Sequence, residues 1–363
     1  MGTQRNHTYI IAEAGVNHNG SLKIAMELVE AAADAGADAV KFQTFKADKL
    51  VSRNAPKAGY QTMTTDAAES QLDMIRKLEL DEETHRLLIE QCNAKGIQFL
   101  STPFDFDSLE MLARTFDLPR LKLPSGEITN APLLLRAART GKPVILSTGM
   151  STLGEVEAAL GVLAFGYAAR KDAAPSPAAF REAYGSAAGQ EALARNVVLL
   201  HCTTEYPAPF DEVNLRAMDT LQDAFGLPVG FSDHTTGIAV PIAAAARGAV
   251  IIEKHFTLGR DLPGPDHKAS LEPGELTEMV KAIRQVELAL GSRLKAPTMS
   301  EARNMSVARK SLVAAEPIRR GELFTKENVT VKRPGNGTHP FLYWDVLGRR
   351  ASVDFERDEV ILP

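Results

Sequence analysis

Lys41 and Lys122 stand inside otherwise apolar runs, between Val40 and Phe42 and between Leu121 and Leu123. An uncompensated ammonium is costly to bury there. Each lysine therefore needs an anion: either a bound phosphate or carboxylate, or a structural partner such as Glu13 or Glu253. A second pattern lies between Pro228 and His267, which reads as two apolar strands separated by an Ala-rich helix. One strand runs into Ser232, Asp233 and His234, the other into Glu253 and His255. Side chains alternate across a strand, so Ser232 and His234 share one face, and Glu253 and His255 share one face of the next. Neighbouring parallel strands lie about 4.8 Å apart, so two imidazoles at equal heights can hold one divalent ion. Two protein ligands leave positions open for substrate, as a catalytic ion requires. The plainer alternative for either residue is a histidine satisfied by hydrogen bonds.

The same kind of residue recurs where other apolar runs end: Glu13, Gln43 beyond Lys41, Thr102, Ser125 and Glu127 beyond Lys122, Ser147, and Tyr206. Hydroxyls at Thr102, Ser125 and Ser147 would help the lysines hold a phosphate or carboxylate. Glu13, Glu127 and Asp266 are candidates for proton transfer, since a carboxylate beside a metal and an anion pocket works as general acid or base once its pKa is tuned. Asp266 sits in a Pro/Gly-rich turn and reads equally as a turn former.

The elements that would position these residues alternate strand and helix. Apolar runs at Tyr9 to Ala12, Ala39 to Phe42, Ile97 to Leu100, Arg120 to Leu123, Pro143 to Leu146, Val197 to Leu200, Pro228 to Phe231 and Val250 to Ile252 give a (β/α)8 barrel, with the chemistry at the C-terminal ends of its strands. A doubly wound sheet is the alternative, but no GxGxxG or GxxxxGK[ST] loop supports it. The barrel is expected over 1–290, a linker over 291–309 and a small module over 310–363. That module shows strands at Lys310 to Ala315 and Val329 to Lys332, then Arg333 before the turn PGNG, then Tyr343 to Leu347 and a last strand near Glu359 to Leu362. The Ala/Pro/Ser-rich stretch from Tyr167 to Ala194 reads as surface decoration. The long polar connection to about Ser70 is a candidate lid.

Composition excludes several classes. The 363 residues are 44% hydrophobic and 24% charged with a formal charge of −5, and no dense Lys/Arg run points to nucleic acid or an anionic membrane. Cys92 and Cys202 form no disulfide framework. No stretch has the length of a membrane span or the apolar core of a signal peptide, and a cytoplasmic location is expected.

The segments IIAEAGVNHNGS, AVKFQTF, FLSTPFD, LKLPSGEITN, VILSTGM, LLHCTTEYPAPF, GFSDHT, IIEKHFTL, PGPDHKASLEP and VKRPGNG, in unbroken order, resemble the sialic acid synthases. These are the N-acetylneuraminate synthases and the related legionaminic and pseudaminic acid synthases. The resemblance implies a (β/α)8 TIM barrel followed by an antifreeze-like SAF domain, in a domain-swapped homodimer. It implies condensation of phosphoenolpyruvate with an open-chain N-acetylated mannose-type sugar, releasing phosphate. His234 and His255 would hold the metal, Mn2+, Mg2+ or Co2+. Lys41, Thr102, Lys122, Ser125, Ser147 and Ser232 would hold phosphoenolpyruvate. Glu13, Gln43, Tyr206 and Asp266 would line the sugar, and Arg333 would reach its N-acetyl group from the other subunit's small domain. Glu127 is the choice for the proton of the attacking water. Where some members carry asparagine, this chain has Thr204. N-acetylmannosamine is the favoured sugar, with 2,4-diacetamido-2,4,6-trideoxymannose as the alternative and the pseudaminic route third. Discrimination is expected from the Val51 to Thr65 loop and around Tyr206. Outside the class stand a metal-dependent barrel hydrolase, which would want more ligands on the first strand, and a non-catalytic sugar-binding protein.

Overall fold

The computed structural model describes residues 7–57, 69–170 and 172–362. The chain divides into two compact units, Met1–Gly291 and Ser292–Pro363. In the first, strands β1 (Tyr9–Gly15), β2 (Ala39–Thr44), β3 (Gln98–Pro103), β4 (Leu121–Leu123), β5 (Val144–Ser147), β6 (Val197–Cys202), β7 (Val229–Asp233) and β8 (Ile251–His255) are all parallel neighbours. They pair in the order β3-β2-β1-β8-β7-β6-β5-β4. β3 and β4 adjoin and bring the sheet nearly round, which is the expected (β/α)8 barrel. Each strand is covered by helices outside and side chains inside, so its sequence is apolar almost throughout.

Alternation along the strands sorts the interior into layers. Ile11, Ala39, Leu100, Ile145, Leu200 and Ile251 pack together as an apolar floor. Two residues further along the same strands, on the same face, stand Glu13, Lys41, Thr102, Ser147, Cys202 and Glu253. Gly230 supplies the clearance on β7: a Cβ there would lie 2.6 Å from the Ile251 carbonyl oxygen and 2.6 Å from Leu200 Cδ2.

The outer layer follows helical periodicity. The helix Leu22–Asp34 starts where Ser21 accepts a hydrogen bond from the Ile24 amide, and buries Ala25, Leu28, Val29 and Ala32. The Ala/Pro/Ser-rich insertion is not decoration. It forms helices Pro177–Gly185 and Ala187–Asn196, capped by Ser176 and Ser186. They pack on the helix Leu153–Ala168, with Phe180 edge-on to Phe165 at 5.3 Å and with Ala192 and Leu193 buried. The part of the expected lid at 58–68 lies outside the described residues.

In the second unit, β9 (Ser311–Ala314) and β10 (Val329–Lys332) pair antiparallel over a core that includes Leu312, Ile318, Phe324 and Phe355. Tyr343–Val346 is a single helical turn that buries Val346. The chain end joins β9 through one bridge, Val313 to Val360, rather than a full strand. The stretch expected as linker holds a helix, Met299–Ala308, begun by a Thr298/Glu301 capping box. Among the described residues, no helix is long and apolar enough to cross a membrane.

Candidate active site

The C-terminal ends of the strands open into a cleft of about 290 Å³, open to solvent at its mouth. Register sets its base. Glu13 pairs with Lys41 on one side and with His255 on the other, and Ser232 pairs with Glu253. One step beyond that last pair, His234 and His255 come level as alternation predicts, with ring centroids 5.6 Å apart.

The base of the cleft is a buried charge cluster. Lys41 contacts Glu13, donates to Thr102 Oγ1 at 3.0 Å and lies 3.7 Å from Glu253 Oε2. Lys122 lies 3.4 Å from Glu253 Oε1, and Ser232 Oγ donates to that same oxygen at 2.8 Å. Glu253 thus joins lysines from two strands. Burial tends to raise its pKa, but Lys122 and Lys41 outweigh that and bring it down to about 2. Glu13 goes the other way. Burial raises it and Glu253 adds to the rise, so that despite Lys41 its pKa reaches about 7. Lys41 is held protonated, because Glu13 and Glu253 outweigh its burial; burial prevails at Lys122, whose pKa falls.

The two imidazoles are neutral for the same reason. Burial lowers His234 to about 4 and His255 well below the ordinary value. His234 Nδ1 faces the Thr203 carbonyl oxygen at 2.6 Å, which leaves Nε2 toward the cleft. His255 Nδ1 is buried without a hydrogen-bond partner. Two neutral imidazoles, one with an orphaned nitrogen, form a donor pair that fits a divalent cation. Among the described residues, no third His, Cys, Asp or Glu completes a cluster around them. The Tyr206 ring packs against both, 4.2 Å from His234 and 5.5 Å from His255.

The remaining sequence candidates fall into two groups. Gln43, Ser125, Ser147 and Asp266 line the cleft with those already described. Asp266 is 8% exposed, and burial raises its pKa to about 6. Ser125 Oγ accepts from the Gly149 amide at 2.9 Å and lies 3.1 Å from Cys202 Sγ. Glu127 is not brought to the lining. It ends a 3-10 turn, Ser125–Glu127, with Oε2 accepting from Asn130 Nδ2 at 2.6 Å. Arg333 is exposed in the second unit, just after β10.

Two members of the cleft were named from sequence without a role in the site. Glu253 was readable only as a partner for the lysines, although its place two residues before His255 on the same face was a usable signal. Thr204 lines the cleft with an unpartnered Oγ1, and only its departure from the asparagine of some family members drew attention to it.

Comparison with known proteins agrees with this geometry. Residues 28–295 match the NeuB family and residues 309–363 match the SAF domain. An N,N'-diacetyllegionaminic acid synthase of Campylobacter jejuni is 50% identical over 98% of this chain and 98% of its own. That of Legionella pneumophila is 44% identical over 98% of this chain and 93% of its own. Among solved structures, the N-acetylneuraminic acid (sialic acid) synthetase of Leptospira borgpetersenii superposes with a TM-score of 0.65 at 33% identity, covering 82% of this chain and 90% of that one. The chain therefore belongs to the NeuB family, phosphoenolpyruvate-using transferases of the sialic acid synthase type, and ends in a SAF domain.

Proposed function

We propose that this enzyme condenses phosphoenolpyruvate with open-chain 2,4-diacetamido-2,4,6-trideoxymannose, giving N,N'-diacetyllegionaminic acid and phosphate. One observation carries the reaction: two buried lysines, Lys41 and Lys122, paired with Glu13 and Glu253, line the same cleft as two neutral imidazoles. Relatives that share 50% and 44% of their residues with this chain and are named for that product put the diacetamido sugar ahead of N-acetylmannosamine.

In this reading the lysines, with Thr102, Ser125, Ser147 and Ser232, hold the phosphate and carboxylate of phosphoenolpyruvate. His234 and His255 are the residues that would hold a divalent cation, Mn2+, Mg2+ or Co2+, whose Lewis acidity would polarise the sugar aldehyde. Carbon 3 of phosphoenolpyruvate attacks the aldehyde carbon with the enol electron pair, and the cationic carbon 2 left behind takes up water. The tetrahedral product then breaks its carbon–oxygen bond to phosphate and becomes the ketone. Lys41 and Lys122 stabilise the charge that grows on the departing phosphate. Glu13, with a pKa near neutrality, is placed to move a proton at the aldehyde oxygen or the water. The role first given to Glu127 passes to it because Glu127 is turned to Asn130. Gln43, Tyr206 and Asp266 orient the sugar. The partner subunit's Arg333, in a domain-swapped homodimer, completes the proposal.

The test is phosphate release from phosphoenolpyruvate and Mn2+ with each sugar, with and without a chelator. Release with the diacetamido sugar that the chelator abolishes is expected. Faster release with N-acetylmannosamine would overturn the choice of sugar, and release with neither would overturn the reaction.

A further inference from the structure

The cleft changes character with height in a way that the condensation itself does not require. Along β2 and the residue just after it the inward residues run Lys41, Gln43, Phe45, and along β3 and the residue just after it they run Thr102, Phe104. Gln43 pairs with Thr102 in the ladder, so the two phenylalanines come level one repeat further out, about 6.6 Å by the rise of a strand. Their rings meet edge-on at 6.2 Å. Between Gln43 and Thr102 in the sequence, every described residue that lines the cleft is apolar, Met74, Ile75 and Leu78 among them. Val16 completes this wall from β1.

The wall is held rather than loose. Phe45, Met74 and Leu78 are 3%, 5% and 8% exposed. The helix Gln71–Arg76 that carries Met74 and Ile75 is capped by Ser70 and tied to Asp48 through Arg76 at 2.7 Å. The Ala47 amide donates to Glu79 Oε1 at 2.7 Å, and the Lys46 amide to Asp105 Oδ2 at 2.9 Å, which fixes the turn after Phe45.

We propose that this wall seats carbon 6 of the sugar as a methyl group, and that Met74 and Leu78 select a 6-deoxy sugar over its 6-hydroxy counterpart. The inference rests on the reading of the cleft as the seat of phosphoenolpyruvate and an N-acetylated mannose-type sugar. Depth carries it. Ammonium, then amide, then carbon side chains follow the order of the reactants, which run from phosphate through the aldehyde and the carbons bearing acetamido and hydroxyl groups to the methyl at carbon 6. A hydroxymethyl group in the same place would leave its hydroxyl against carbon with no partner.

Three sugars separate the possibilities: N-acetylmannosamine, 2-acetamido-2,6-dideoxymannose, and 2,4-diacetamido-2,4,6-trideoxymannose. The readout is kcat/KM for each at saturating phosphoenolpyruvate and Mn2+. The wild-type enzyme should favour the 2,6-dideoxy sugar over N-acetylmannosamine by about 10- to 100-fold, the range a carbon-lined seat reaches against an added hydroxyl. Leu78→Gln and Met74→Gln should each cut that ratio by about tenfold, with KM for phosphoenolpyruvate unchanged as the sign of an intact fold. Leu78→Met keeps volume and polarity and should keep the ratio. Equal turnover of the first two sugars by the wild-type enzyme overturns the inference while the reaction stands, as does a ratio that survives both glutamine variants. Preference that follows only the 4-acetamido group overturns it as well. No turnover of any of the three overturns the underlying reading instead.

Discussion

Two layers of one barrel interior lie only two residues apart along the same strands, yet do opposite work. The lower layer, Ile11, Leu100, Ile145, Leu200 and Ile251 with Ala39, is carbon on carbon. The upper, Glu13, Lys41 and Glu253, reached by Lys122 from β4, is nearly as buried and carries formal charge. A lower-layer side chain is satisfied by any well-shaped neighbour. An upper-layer side chain is satisfied only by a matching charge, so Glu253 is fixed by Lys41, Lys122 and Ser232 together. Stability is concentrated in the first layer and reactivity in the second, and the strand period keeps them apart.

That separation can be broken from either side. The largest effect is expected from Lys122→Met, which removes a cation from the upper layer. It should lower kcat by about 10²- to 10³-fold, as loss of one charge-stabilising donor does. Thermal stability should fall as well, because Glu253 loses the nearer of its two buried lysines. Steady-state kinetics beside a melting curve checks both parts. Ile145→Ala in the lower layer should separate the two effects, costing about 2–5 kcal/mol in denaturant unfolding while kcat per folded molecule stays near wild type. A large drop in its kcat would show that the layers are coupled.

Glu253→Gln tests the boundary between them. It leaves Lys122 and Lys41 short of a counter-charge and should destabilise by about 3–5 kcal/mol in the absence of phosphoenolpyruvate. Added phosphoenolpyruvate should recover much of that in a melting assay, since its anion takes the carboxylate's place. No greater thermal shift than wild type shows would count against the lysines as an anion seat.

The smallest effect concerns Asp266. Its pKa of about 6 lies above the ordinary 3.8 because burial disfavours the carboxylate. Between those values the folded chain holds a proton that the unfolded chain has released, so stability is lost as pH rises from about 4 to 6. Above that range the loss is constant, on the order of 2–3 kcal/mol. Asp266→Asn should therefore unfold later than wild type at pH 7.5 and together with it near pH 4. Equal midpoints at both would remove the argument.

Much of this was legible in the sequence because strands buried on both faces are apolar runs, and a lysine inside such a run cannot be accidental. Lys41 and Lys122 announced the cationic base; His234 and His255 announced the paired imidazoles through their matching strand positions. Other features depended on context that a sequence does not display. The stretch from Tyr167 to Ala194 reads as loop by composition, yet serine caps and alanines make helices once Phe165 offers a surface to pack on. Glu127 sits at the right place in the chain, but a local bond to Asn130 turns it aside. The apolar wall was invisible because its residues come from β1, β2, β3 and a short helix, each ordinary alone.

The vertical order of Lys41, Gln43 and Phe45 also bears on time. A molecule seated on the lysines lies under one resting against the phenylalanines, and the cleft has its opening above both. On the proposed seating, phosphoenolpyruvate would enter before the sugar, and phosphate would leave after the nine-carbon acid. Such an enzyme would work as a stack, last in and first out, and inorganic phosphate should compete with phosphoenolpyruvate for the empty enzyme.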